Sequence, residues 1–303
     1  MEIPLVVGVD GSEAGLEAVD WAADEAVRHA VPLCLVHIAT SDQLPRPVTG
    51  HPNHAPSDVR TGREPPSDQE VRENADSVVA SATLRARKRA PTVQLSSEVL
   101  YGDAAAALTG KGRNAFALVL GSRGLGDLAG LLLGSVSLAV AARADCPVVV
   151  VRGGVEHRDS RFGNVVVGIE DGAGSGTAVQ FALREAQVRC CGLTAVHARC
   201  TATIGSPETT APADWTPEAR RRSPVQVLDD ALCEPGDQCP HVVVSRRAVE
   251  GPAREALLEA ASGADLLVVG ARRRHGHFGL QLGLVNHGVL HHSPCPVAIV
   301  PQI

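Results

Sequence analysis

GSRGLGDLAGLLLGSVS, residues 121–137, joins two segments of different character. Before it, Phe116 to Leu120 (FALVL) has the length and apolar content of a buried parallel strand. After it, Leu138 to Arg143 (LAVAAR) is built from residues that favour helix. The glycines therefore occupy a strand-to-helix turn, where backbone amides and a helix N-terminus can face an anion. Gly121 and Gly124 let the backbone pass close to a ligand with no Cβ in the way. Gly134 and Ser135 open the helix, and Ser135 and Ser137 offer hydroxyls beside free amide donors. On glycine content alone the segment reads equally well as a flexible loop. It is not a Walker loop, because no Gly-Lys-Ser/Thr follows the glycines.

Working outward, Pro4 to Val9 (PLVVGV) reads as a buried strand and Asp10-Gly11-Ser12 as its turn. Ser12 is a candidate cap for a helix from Ala14 to His29, whose Leu16, Val19, Ala22, Ala23 and Ala26 recur at helical spacing. Leu33 to Ala39 returns as a second strand, which implies a parallel pair with a right-handed crossover. Residues 41–70 lack periodicity and read as a long loop. A helix over Val71 to Arg89, a strand over Val93 to Val99, a short helix over Asp103 to Gly110 and a last strand at Pro147 to Val151 complete the first half.

The order then begins again. VVVGIEDGAGSGTAVQFA at 165–182 repeats LVVGVDGSEAGLEAVDWA at 5–22, and Leu193 to Ala198 matches Leu33 to Ile38 at the same offset. Asp265 to Gly270 matches Phe116 to Gly121, and Cys295-Pro296 matches Cys146-Pro147. The chain is thus a duplication of two α/β units, 1–153 and 162–303, joined near Gly153 to Phe162.

Composition bounds the function. The 303 residues are 44% hydrophobic and 20% charged, enough to fill and cover two cores. A formal charge of −6 gives no electrostatic pull toward nucleic acid or an anionic membrane. The N-terminus lacks a leader pattern and no apolar run approaches a membrane span, so a cytoplasmic protein is expected. The eight cysteines form no CxxC pair, and several lie within apolar strands as small hydrophobes.

Gly121, two residues, Gly124, nine residues, then Gly134-Ser135 resembles the nucleotide-binding signature of the universal stress protein family, and both halves resemble its domains. The resemblance covers the whole chain. It implies two tandem Rossmann-like domains of the adenine nucleotide alpha hydrolase-like kind. Each would be a five-stranded parallel sheet with helices on both faces, and the two would pack as a pseudo-dimer. Ligands of such sheets sit beyond the carboxyl ends of the strands, where the strand order reverses. Asp10 and the glycine signature would share that crevice. The resemblance further implies ATP, with or without Mg2+, held in the first half by Val9, Asp10, Ile38, Gly121, Ser122, Arg123, Gly124, Gly134, Ser135, Val136 and Ser137. Read on their own, Asp10 serves equally as a turn residue and Val9 and Ile38 as core.

The second copy departs from the pattern. Ile169, Glu170, Gly270 and Gly283 keep their places, but Arg273 stands for Gly124, Leu284 for Ser135, Asn286 for Ser137 and Glu170 for Asp10. Weak or no ATP binding is expected there, although Arg272 to Arg274 could attract an anion. His275 and His277 lack further ligands for a metal. Gly172 and Gly174 begin a dinucleotide fingerprint that Thr177 breaks, so a plain turn is expected. No GxSxG, HExxH or nucleophilic cysteine signature is present. His37 and His197 read as satisfied, buried histidines. The expected function is an ATP-binding stress or regulatory protein, with a non-binding interaction scaffold or a slow ATPase as alternatives. Apolar last strands such as Pro147 to Val151 would suit a homodimer contact between two chains.

Overall fold

A computed structural model describes residues 3–39, 67–124, 133–170, 176–199, 223–272 and 282–302. The first half runs β1 (Leu5–Val9), α1 (Glu13–His29), β2 (Leu33–Ala39), α2 (Asp68–Arg89), β3 (Leu95–Tyr101), α3 (Ala104–Gly112), β4 (Ala117–Gly121), α4 (Ser135–Arg143) and β5 (Val148–Val151). A four-residue helix, α5 (Val155–Arg158), lies in the connection. The second half repeats the order as β6 (Asn164–Gly168), α6 (Gly176–Val188), β7 (Gly192–Arg199), α7 (Pro224–Gln238), β8 (Val244–Glu250), α8 (Ala253–Ala261), β9 (Leu266–Arg272), α9 (Leu284–His292) and β10 (Val297–Gln302).

Within each half all pairings are parallel, and the strand order is β3-β2-β1-β4-β5 and its copy β8-β7-β6-β9-β10. Order reverses between β1 and β4, and again between β6 and β9. Val148–Val150 pair antiparallel with Val297–Ile299, so ten strands form one continuous sheet. That pairing corrects the expectation that the last strand offers an edge to another chain: the second half already covers it. The apolar run at 147–151 is therefore a seam within the chain.

The inner strands of the sheet are buried on both faces, which is why they are rich in Val and Leu without alternation, whereas the edge strands β3 and β8 are mostly exposed. Val7, Val19, Leu35 and Ala82 join Val167, Val179 and Leu228 in one layer, and Leu118, Val140 and Val150 join Leu267, Val289 and Ile299 in the other. Each layer crosses the seam, so the two halves share their cores. Helix α2 begins three residues earlier than the periodicity indicates. Its start is fixed by a capping box in which Ser67 Oγ accepts from Glu70 N and the Glu70 carboxylate accepts from Ser67 N.

Helices α1 and α6 meet across the seam through a buried ionic cluster. Glu25 and Glu185 occupy the same position in the duplicated helix, as do His29 and Arg189, and the side chains of all four are at most 2% exposed. Arg189 Nη2 donates to Glu25 Oε2 at 2.6 Å and its Nε to Glu185 Oε2 at 3.2 Å. Arg28 Nη1 donates to the same Glu25 oxygen at 2.9 Å. Both arginines also reach Ser160 Oγ in the connection between the halves. Arg189 lies 5.5 Å from the centre of the Trp21 ring.

Burial disfavours the charge on Glu25, but Arg189, His29 and Arg28 overcome it and hold the carboxyl well below the usual range. Burial and the charge of Glu25 push Glu185 up. The two carboxyls differ because Arg189 makes its shorter contact to Glu25. Burial also opposes the charge on His29, yet its contacts with Glu185 and Glu25 raise it to about 9.

Candidate functional site

The crevice of the first half is assembled at the reversal between β1 and β4. Asp10 follows β1 directly, and Oδ1 accepts from Ser12 N at 3.0 Å and from Ser12 Oγ at 2.6 Å. Ser12 Oγ in turn accepts from Gly15 N and caps α1. From the other side arrives the turn after β4. A Cβ on Gly124 would stand 2.5 Å from Asp10 Oδ2, and one on Gly121 would stand 2.6 Å from Ala14 O. Both glycines are thus required by close approach of the β4 turn to the first turn of α1. Asp10 and Gly124, distant in sequence, touch.

Gly134 caps α4 without any side-chain hydrogen bond, and Leu138 N is bonded to Gly134 O. The amides of Ser135, Val136 and Ser137 therefore precede the helical ladder. Ser135 and Val136 are exposed, and Gly134 N bonds Ser122 O, which ties the helix start to the β4 turn. Ser122 N bonds Val151 O. Arg123 is exposed, and its carbonyl lies 3.5 Å from Ser12 Oγ. Residues 125–132, the middle of the signature, lie outside the described residues.

Ser137 does something other than the sequence reading gave it. Its hydroxyl is buried and donates to Gly121 O at 2.7 Å, so it clamps the β4 turn to α4 and points away from the exposed helix start. Among the described residues, Ser135 is left as the exposed hydroxyl at this helix start. Val9 is 4% exposed and packs in the core, while Ile38 is half-buried against the opposite layer. His37 Nδ1 lies 2.8 Å from Val9 O and His197 Nδ1 3.0 Å from Ile169 O. In both halves a buried imidazole fixes the carbonyl just before the acidic residue, in keeping with the reading of both as buried histidines. The His-to-carbonyl tie leaves no pattern in one half alone; its signal was the recurrence of Val-His at the same place in both.

The second crevice keeps the scaffold and changes the charge. Asn286 Nδ2 donates to Gly270 O at 2.9 Å, the same tie that Ser137 makes. The exchange of Ser for Asn is therefore conservative for structure, contrary to its reading as decay. Gly283 caps α9 as Gly134 caps α4, but Leu284 at the first helical position is 93% exposed. Arg272 Nε lies 3.5 Å from Glu170 Oε2. Of the three arginines expected to attract an anion, Arg272 thus pairs with the carboxylate that replaces Asp10. A Cβ at Gly270 would meet Gln302 Nε2 at 2.6 Å, where Gly121 faces α1. Asp171 to Ser175, with the broken fingerprint, and 273–281, with Arg273, Arg274, His275 and His277, lie outside the described residues.

Among the described residues no helix is long and apolar enough to cross a membrane. The family profile described as Universal stress protein family matches residues 4–152 and 161–301. A universal stress protein of Mycobacterium tuberculosis (strain CDC 1551 / Oshkosh) is 33% identical over 312 residues, covering 98% of this chain and 95% of that protein. Another, from M. tuberculosis strain H37Rv, is 31% identical over 309 residues, with 98% and 96% covered. The crystal structure of a universal stress protein from Archaeoglobus fulgidus DSM 4304 superposes with a TM-score of 0.71 at 17% identity, covering 99% of each chain.

Proposed function

Taking as premise that the chain belongs to the universal stress protein family, we propose that its first-half crevice binds ATP. Bound nucleotide then changes the shape or partner contacts of a cytoplasmic stress or regulatory factor. The observation that carries this reading is the approach of Gly124 to Asp10, where a Cβ would fall 2.5 Å from Oδ2. That approach sets the acidic strand end beside the glycine turn, so that one ligand can reach both. In this reading Asp10 accepts from the ribose, Val9 and Ile38 flank the base, and the amides of Ser135 and Val136 with the Ser135 hydroxyl and Arg123 receive the phosphates. Ser122, Gly121, Gly134 and Ser137 hold that surface in place. Mg2+ would enter with the triphosphate, bound through phosphate oxygens and water.

The second half contributes a crevice whose Glu170–Arg272 pair repels or ignores a phosphate. In this reading the tandem chain is its own pseudo-dimer, with one working nucleotide site. Equilibrium dialysis of ATP against nucleotide-stripped protein and its Gly124→Arg variant tests the proposal. Binding that the substitution abolishes supports it. Absence of binding to the unaltered protein overturns it in favour of an interaction scaffold.

A further inference from the structure

Arg152 leaves the end of β5 and crosses the seam, where its Nη1 donates to Leu290 O in the last turn of α9. On the near side Ser122 N bonds Val151 O, so Arg152 stands one strand over from the β4 turn that carries Arg123. Arg123 follows Ser122, and His291 follows Leu290. A single hydrogen-bonded strip therefore carries Arg123, Arg152 and His291 from the first crevice across the seam to α9. The antiparallel pairing of β5 with β10 makes this possible, because it brings the C-terminal end of α9 to the same end of the sheet as the strand ends that build the first crevice.

Two nitrogens on this strip lack an acceptor. Arg152 Nε and His291 Nε2 are both buried and make no hydrogen bond. Among the described residues no carboxylate bears on Arg152; burial lowers its pKa, and the charge of Arg123 adds to the fall. Cys295 beside it stays a neutral thiol, pushed up to about 12 by burial. Burial also lowers His291, and the charged groups around it are His287, His292 and Arg152. The ring of His287, one helical turn earlier, lies 4.4 Å from that of His291 and holds it in place.

We propose that Arg152 and His291 form an anion seat that takes the terminal phosphate of a nucleoside triphosphate held in the first-half crevice, so that the seam completes the site. The ligand assignment rests on the nucleotide reading of that crevice. One phosphate oxygen accepts from Arg152 Nε and another from His291 Nε2, which then carries the proton. Both residues are half-buried, which leaves the seat open to solvent on one side. Arg152 Nη1 already covers the Leu290 carbonyl and so shields the anion from the negative end of α9. The seat exists once per chain. By the offset that sets Cys146-Pro147 on Cys295-Pro296, the duplicated positions carry Pro301 for Arg152 and Ala142 for His291. Phosphate-chain length is then read by residues outside the glycine signature, and a monophosphate gains nothing from them.

Nucleotide-stripped full-length protein is titrated by calorimetry with ATP, with AMP and with inorganic tripolyphosphate. The same titrations are made on Arg152→Met, Arg152→Lys and His291→Gln. The unaltered chain should bind ATP at least about tenfold more tightly than AMP, and Arg152→Met and His291→Gln should lose most of that preference while AMP affinity holds. Arg152→Lys, which keeps the charge without the Nε donor, should recover part of it. Arg113→Met, at a surface arginine at the far end of the sheet, should bind as the unaltered chain does. The ratio of two affinities on one sample does not depend on the fraction folded, so a destabilised variant still reports. Equal binding of ATP and AMP, or a preference that survives both Arg152→Met and His291→Gln, overturns the seat while leaving the crevice a nucleotide site. If neither nucleotide binds, the reading of the crevice fails instead. The seat is then judged by tripolyphosphate: saturable binding lost in Arg152→Met supports it, and no binding overturns it.

Discussion

Replacing Arg189 by Met removes the cation shared by Glu25 and Glu185 while keeping much of the side-chain length. The guanidinium is 2% exposed and contacts both carboxylates, Ser160 and the face of Trp21. Removing one partner of a buried ion pair costs about 3–5 kcal/mol, because a charge is left without compensation. For 303 residues the unfolding entropy near the midpoint is about 0.6 kcal/mol/K, so a chain that melts as one unit should lose about 5–8 °C in Tm. If one half melted alone the entropy would halve and the loss would double, so the shift also reports whether the continuous sheet behaves as one cooperative body. The assay is differential scanning calorimetry at pH 7, with Glu25→Gln combined with Arg189→Met as the companion. That double variant should recover a large part of the loss, since it discharges the stranded carboxylate. A Tm within about 2 °C of the unaltered protein for Arg189→Met alone would refute the reasoning, because it would mean that water reaches the cluster and that the seam does not depend on it.

Other outcomes follow from the same contacts. His29 has its pKa raised to about 9 from an ordinary value near 6.5, so its protonated form stabilises the fold fully below that ordinary value. The contribution declines as pH rises from there and is lost through about 9; the protein should show Tm falling across that window, and His29→Gln should flatten the fall. Ser137→Ala leaves the buried Gly121 carbonyl without its donor and should cost about 1–3 kcal/mol in urea unfolding while weakening ATP binding, whereas Ser137→Asn should keep the tie that Asn286 makes in the other half. Gly153→Ala should destabilise the seam, because its φ is +86° and a Cβ would sit 1.8 Å from Pro294 O; unchanged urea unfolding would contradict the close packing there.

The duplication, the alternation of strands and helices along each half and the glycine turn were legible because they rest on local patterns: Val-rich runs, glycine spacing and the Val-Gly-Val-Asp strand end. The seam was not. Val148–Val151 reads as an edge strand, and only the position of β10 shows that the edge is taken. Glu25 and Glu185 were equally hidden. A glutamate within a helix reads as solvent-facing, and the burial of Glu25 is decided by the other helix, which brings an arginine 164 positions away in sequence to meet it. At the crevice, Asp10 and the β4 turn were paired correctly from topology, yet the direction of the Ser137 hydroxyl was not. A serine at a helix start can face the ligand or the preceding turn, and burial against Gly121 O decides for the turn. The start of α2 at Ser67 was readable from its Ser-x-x-Glu box, but it followed a long polar stretch that masked it.

The most direct test of the account is the number of ATP molecules bound per chain, measured by calorimetry on nucleotide-stripped protein. The account predicts one, because Asp10, Gly124 and the α4 start form a cradle in the first half while Glu170 and Arg272 pair in the second. Two would contradict the reading of the second crevice, and none would contradict the claim that the first is a nucleotide site.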